Sequence, residues 1–478
     1  MSLTKTVSLV AGTTLALSGA VFGSTTEANN DAQSQINLLR AEIAELKNQD
    51  SANWLTEQRA SEIKGLVQDV LADADTRASL QGAASTAGWD NGFFLASADG
   101  NFRLNVSGNA QIRWTWSHRD IDSNVDPDTE ENSWGFATRH TTLTFAGHIV
   151  DPSWRYNVSF GFFDDSGDYD GESTIGTAYL NDMYVLKDFG NGFYLKAGQF
   201  VAAYSRERMM SDSGLQFLDR SNSNYVFGLG RTQGVEIGYI ADMFRIAGAY
   251  SDGVGPNSPT QNRGFNPNTG TSPPTDFAAN GRAEIKFAGN WKQFEYDQSF
   301  RGEEFGLLAG VGGYYQTGNQ GGAGFPTGTA TDGDDYGFTA DVTVNFGGWN
   351  ILAAAYWQTS DEEWVGATPG AGDFDRSGLM AQVGFFLTDD FELVGRYEYG
   401  DFDNQGLSDG NTQSIATIGA NWYFAKNRAK WQTDLSYAFH SMGDFAVAGN
   451  GWYVDGVDSN GDAEDGQYVF RTGININF

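Results

Sequence analysis

The sequence predicts an all-β protein: a roughly 16-stranded antiparallel transmembrane β-barrel, preceded by an N-terminal helical, possibly coiled-coil, segment. Three observations predict it. From Phe102 onward apolar and polar residues alternate with a period of two. The links between the alternating segments are by turns short and long, as in outer-membrane barrels. The third is composition: the chain has 478 residues, 61 Gly, 14% aromatics, a net charge of -32 and a mean hydropathy of -0.40. Membrane helices need runs of about 20 apolar residues, but a barrel strand needs only every second residue apolar, so a spanning chain can be hydrophilic on average.

Composition also excludes classes. The acidity argues against nucleic acid, whose phosphates are neutralised by clustered Lys and Arg. The absence of Cys excludes disulfides, thiolate chemistry and Cys-held metals. Disordered acidic chains are poor in aromatics. The four His (His118, His140, His148, His440) stand in no nucleophile or zinc pattern, so no catalytic site is expected.

Residues 1–23 read as a signal peptide: Lys5, an apolar stretch from Val7 to Phe22, and a small-residue end at Val21-Phe22-Gly23. Export follows. Residues 24–81 read as a periplasmic helical segment. Ile36, Leu39, Ile43 and Leu46 occupy heptad positions. After a break near Asp50–Trp54, Ile63, Leu66, Val67, Val70 and Leu71 form a second apolar set in another frame. A helical hairpin and a coiled coil joining copies both fit. Residues 82–100 read as a linker.

The barrel is expected over 101–478. In 102–116 the even positions are Phe, Leu, Val, Gly, Ala, Ile, Trp and Trp, while the odd ones are all polar. The apolar face suits lipid, with aromatics at the interfaces; the polar face suits water. Similar segments run at roughly 136–149, 153–163, 175–187, 192–200, 231–241, 242–251, 278–288, 304–317, 336–346, 347–359, 374–387, 390–401, 412–424, 429–441 and 465–478. Residues 289–303, with Trp291, Phe294 and Tyr296, are a possible further strand. The last segment ends at Phe478, resembling an outer-membrane assembly signal. About sixteen strands leave an aqueous channel that side chains cannot fill.

The link 201–230 is the candidate constriction. It carries Arg206, Glu207, Arg208, Asp212, Asp219 and Arg220, and Arg231 follows. Met209, Met210, Leu215, Phe217 and Leu218 in the same loop favour an inward fold over exposure to solvent. Strand parity gives the lumen lining. Its basic members are Arg103, Arg113, Arg155, Lys196, Arg245, Arg282, Lys286, Arg376, Arg396, Lys430 and Arg471. Its acidic members are Glu236, Glu284, Asp341, Glu392, Glu398 and Asp434. Bases outnumber acids, which favours anions unless the charges pair off. The acidic excess lies in the long links. In one of them Asp458, Asn460, Asp462 and Glu464 alternate as oxygen ligands do in a calcium loop, a possible structural Ca2+ site.

Leu195-Lys196-Ala197-Gly198-Gln199-Phe200, Ser205-Arg206-Glu207, Leu215-Gln216-Phe217-Leu218-Asp219-Arg220 and Gly230-Arg231-Thr232-Gln233-Gly234-Val235 resemble the phosphate-selective porin O and P family. The resemblance spans about 100–478. It implies a trimeric outer-membrane barrel that passes small ions and solutes and is surrounded by lipid. The family motif usually has Lys and Pro after Gly-Gln-Phe; here Val201, Ala202 and Ala203 follow. Fold and porin role carry over; the substrate does not. A different class, an exported surface-layer or adhesive β-protein, would share the acidity and export but has no reason to sort its links by length.

Overall fold

A computed structural model describes residues 34–42, 64–65, 67–68, 86–90, 92–121, 129–162, 178–253, 277–318, 330–364, 374–402, 412–440, 450–453 and 466–478. The chain divides into two units, Met1–Ala83 and Ala84–Phe478. In the first, residues 34–42 are helical, as are 64–65 and 67–68, with Ile36, Leu39 and Val67 exposed. The signal-peptide residues and most of the second apolar set lie outside the described residues.

In the second unit eighteen strands form one sheet among the described residues. Two are short: β1 (Thr86–Trp89) and β2 (Phe93–Ala96). The barrel strands are β3 (Arg103–Ile121), β4 (Thr129–His148), β5 (Trp154–Phe162), β6 (Ala178–Gly190), β7 (Phe193–Val201), β8 (Arg231–Ile240), β9 (Phe244–Ser251) and β10 (Phe277–Ala288). They continue as β11 (Gly306–Gly318), β12 (Ala330–Asn345), β13 (Trp349–Trp364), β14 (Phe374–Phe386), β15 (Phe391–Phe402), β16 (Thr412–Tyr423), β17 (Ala429–Ala438) and β18 (Gln467–Asn477). Each pairs antiparallel with the next. β18 returns to β3 with Gly473 opposite Arg113, so the ring closes at sixteen strands and has no free edge between its first and last members.

The interior is polar and the exterior apolar, the inverse of a soluble domain. Along β10, Asn280, Arg282 and Glu284 are buried while Phe277, Ile285 and Phe287 are exposed. Ile112, Val311, Phe338, Leu379 and Ile418 stand on the same outer face in their strands, each more than half exposed. Among the described residues no helix is long and apolar enough to cross a membrane; the strands make the crossing.

Three expectations change. Residues 82–100 contain a hairpin rather than only a linker: β1 pairs with β2, and β2 pairs with the start of β3, Phe93 opposite Val106. β2 thus occupies the stretch of the β3 edge that β18 leaves, beyond the point where Gly108 and Phe478 exchange backbone hydrogen bonds of 2.9 and 3.0 Å. Second, β3, β4, β12 and β13 run past the bounds expected from alternation, into residues assigned to long links, because backbone pairing continues after the apolar face has ended. Third, residues 289–303 are no strand. Trp291–Phe294 is a 3-10 turn fixed by a capping box, in which Asn290 accepts from the Gln293 backbone and Gln293 from that of Asn290. The link 289–305 therefore breaks the alternation of short and long.

Candidate functional site: the inward loop and the channel lining

The loop between β7 and β8 leaves and re-enters the wall at one neck, where the Ala202 N–H donates to Gly230 O over 3.1 Å. It holds a short helix α1 (Arg206–Met209), a 3-10 turn (Asp212–Gly214) and a helix α2 (Asn222–Phe227). Ser221 caps α2 by accepting from the Asn224 N–H over 2.9 Å. Glu207 in turn accepts from the Ser221 N–H over 2.6 Å, which ties α1 to α2. Leu215, Phe217 and Leu218, expected to pull the loop inward, are at most 3% exposed. Met209 is the exception at 45%.

The loop is bound to the wall by donors and acceptors on many strands. Asp219, 0% exposed, faces basic groups on three strands. It pairs with Arg113 of β3, accepts from His140 Nε2 of β4 over 2.6 Å, and lies 3.7 Å from Arg471 of β18 and 3.8 Å from Arg139 of β4. Burial pushes its pKa up, but Arg113, Arg139 and His140 outweigh burial and hold it well below the usual carboxylate range. Farther along, Gln216 donates to Asn350 and Glu392, while Lys430 donates to the carbonyls of Ser213 and Leu215 over 2.8 and 2.6 Å. Phe227 stacks on Tyr356 with ring centres 5.6 Å apart. Arg206 donates to Thr343 over 2.9 Å and to Phe294 O.

Six of the seven expected constriction residues belong to this loop. Arg206, Glu207, Asp219 and Arg220 are buried in its anchorage. Arg220 pairs with Asp212, which also lies 3.6 Å from His140 Nδ1. The seventh, Arg231, pairs with Asp182 of β6 over 3.1 Å. Arg208 differs from the rest. Its Nε is buried with no hydrogen-bond partner among the described residues, and it forms no ion pair among them. Burial, and after it Arg220 and Arg231, push its pKa down to about 10, against smaller opposing effects of Tyr225 and Asp212.

Many of the expected lumen charges pair within the wall. Arg282 reaches Asp341 at 2.7 Å and Glu284 at 3.1 Å; Arg396 reaches Glu398 at 3.0 Å, Arg471 reaches Asp434 at 2.7 Å and Lys196 reaches Glu236 at 2.8 Å. The excess of bases is therefore smaller in effect than the count suggested. Arg245 and Lys286 stand apart, their cationic groups 3.9 and 5.3 Å from the Trp291 ring centre. Arg376 donates to Gln358 over 2.8 Å. Arg103 and Arg155 lie at the rim instead, paired with Asp90 and Asp188. Residues 458–464, the possible calcium loop, lie outside the described residues.

Sequence reasoning missed Arg139, His140 and Asp182 as loop and wall partners. A bulge in the β3–β4 pairing between Asn109 and Gln111, where His140 takes a positive φ of 51°, brings His140 into the lumen. No local pattern announces it. Also missed was the second inward segment, 289–305, whose Gln293, Phe294, Asp297, Gln298, Ser299 and Phe300 are all buried.

A closed barrel with a polar interior, narrowed by a loop from its own wall, is the architecture of a water-filled channel, and it leaves no place for the surface-layer alternative. Among solved structures, an anion-selective porin from Comamonas acidovorans is similar with a TM-score of 0.52 at 13% identity, covering 78% of this chain and 99% of its own. The outer membrane channel DcaP of Acinetobacter baumannii is similar with a TM-score of 0.48 at 12% identity, covering 78% of this chain and 97% of its own. No curated protein sequence matches the chain. The sequence model of phosphate-selective porin O and P matches residues 109–441. The chain is an outer-membrane channel and belongs to the phosphate-selective porin O and P family.

Proposed function

We propose that the channel passes small hydrophilic solutes by passive diffusion and prefers anions, with loop 201–230 as its constriction. The observation that carries the reading is Arg208: a loop cation that forms no ion pair among the described residues, its Nε without a hydrogen-bond partner among them, with Arg220 and Arg231 as well as Asp212 in its surroundings. Charged groups at a narrow point select ions by sign. Arg245 and Lys286, held beside Trp291 without an ion pair among the described residues, would extend a positive path along the same lumen. On this reading the chain is not an enzyme. It assembles as a homotrimer in outer-membrane lipid, as the family resemblance implies, with residues 24–81 in the periplasm, as an even strand count favours. The acidic external links would hold divalent cations such as Ca2+ in a structural role.

Reversal potentials in planar bilayers under a salt gradient test the reading. Wild type is expected to prefer anions and Arg208→Ala to lose much of that preference. A cation preference in wild type overturns it.

A further inference from the structure

The pore loop descends from one end of the barrel; the link 289–305 enters from the other, and the two meet. The Asp297 N–H donates to Gly214 O over 3.0 Å, and the Asp297 carboxylate accepts from the Gln216 N–H over 3.1 Å. Gln298, 0% exposed, donates to Leu215 O over 3.0 Å. Loop residues 214–216 are thus held through their backbone, by partners whose geometry does not depend on the loop's own side chains.

The link is itself fastened across the end of the ring. It leaves β10, where Trp291 donates to Ala241 O of the β8–β9 turn over 3.1 Å. Ser299 accepts from the Gly347 N–H of the β12–β13 turn over 2.9 Å. Arg301 donates to Leu387 O of the β14–β15 turn over 3.1 Å and pairs with Asp389 at 3.4 Å. Asn427 of the β16–β17 turn donates to Gln298 over 3.0 Å. Phe300 packs between Phe386 and Tyr423, with ring centres 5.2 and 5.3 Å away. One segment therefore touches four turns before it rejoins the wall at β11.

We propose that residues 289–305 are a strap that seats the tip of the pore loop and closes the part of the barrel mouth beneath β11–β17, so that Asp297 and Gln298 are positioning residues for the constriction. Solute is then confined to the remaining lumen, along the wall that carries Lys196, Glu236 and Arg245. The inference rests on the channel function, but it concerns cross-section, whereas the anion reading concerns sign.

Single-channel conductance tests it. The Asp297→Ala/Gln298→Ala variant frees the tip, so conductance is expected to rise roughly 1.5-fold with added open-channel noise. Asp297→Asn retains an acceptor for the Gln216 N–H and is expected to behave as wild type. Unchanged conductance in the alanine variant overturns the strap, as does an asparagine variant that matches the alanine one. Hydrogen exchange of the wild-type protein supplies a check that needs no substitution. Peptides within 291–303 and 212–218 are expected to exchange as slowly as the strands, and fast exchange in either overturns the clasp. Reversal potentials measured alongside separate the two readings: loss of the strap changes conductance, and failure of the anion reading changes only the sign of selectivity.

Discussion

Arg282 grips Asp341 with two hydrogen bonds, of 2.7 and 2.8 Å, although a whole strand lies between them. The intervening strand is β11, and its residue opposite Asp341 is Gly310. A Cβ there would fall inside contact distance of Arg282 Nη2 and 3.0 Å from Asp341 Oδ1. Glycine is the window through which the two side chains meet. Arg282 also donates to Tyr204 O over 2.8 Å, so the window serves the root of the pore loop.

Gly310→Ala is therefore expected to displace the guanidinium and leave two buried charges poorly paired, at a cost of about 3 kcal/mol. Denaturant unfolding in detergent or vesicles measures it. A change within about 0.5 kcal/mol, the scale of an indifferent surface substitution, would refute the window.

Lys196 is neutralised in place by Glu236, 2.8 Å away and itself held by the Tyr194 hydroxyl at 2.9 Å. Glu236→Gln keeps an acceptor for both and removes the negative charge. The anion-to-cation permeability ratio should rise by roughly twofold, with conductance little altered. A ratio that stays the same or falls would remove Lys196 from the conduction path.

The loop's response to acid follows from its carboxyls. Asp212 and Asp219 both ionise below their ordinary value: burial opposes this, but Arg220 and His140 prevail at Asp212 and Arg113, Arg139 and His140 at Asp219. Their stabilisation is present above the unfolded value near about 4 and is lost only as pH falls through the depressed folded values. Asp297 is opposite in sign. Burial, with Glu207 adding to it, raises its pKa, so its contribution is favourable in acid and is lost as pH rises through that raised value. The loop should stay seated from neutral pH down to about 4 and loosen only below. Hydrogen exchange of 212–220 against pH is the measurement; loosening that begins near neutrality contradicts the assignment.

Much of the fold was legible in the sequence because period-two alternation records a two-sided wall directly. Phe338, Ala340 and Val342 against Thr339, Asp341 and Thr343 leave one solution for β12. The inward loop was legible from Leu215, Phe217 and Leu218, apolar residues that needed cover. Two things were not. The strap resembles a strand in composition, because Trp291, Phe294, Tyr296 and Phe300 need burial in either role; the sign that separates them is Asn290 with Gln293 three residues on, a helical start. Charge pairing in the lumen was hidden as well. Parity says which side a residue faces, but whether Arg396 meets Glu398, or Arg208 lacks an ion pair among the described residues, depends on register and on where the loop settles.

Asp219 touches Arg113 on β3 and approaches Arg471 on β18, the two strands that meet last around the ring. Its partners on β3 and β4 form one local pair, but the Arg471 side of its seat is in place only when β18 lies beside β3, a contact between segments some 350 residues apart in the chain. Closing so long a loop carries an entropic cost before any contact compensates it. Barrel closure should thus complete the seating of the loop: an open barrel lacks the Arg471 side of the seat, and a seated loop latches the seam from within. The residue that anchors the loop then also reports that the ring is closed.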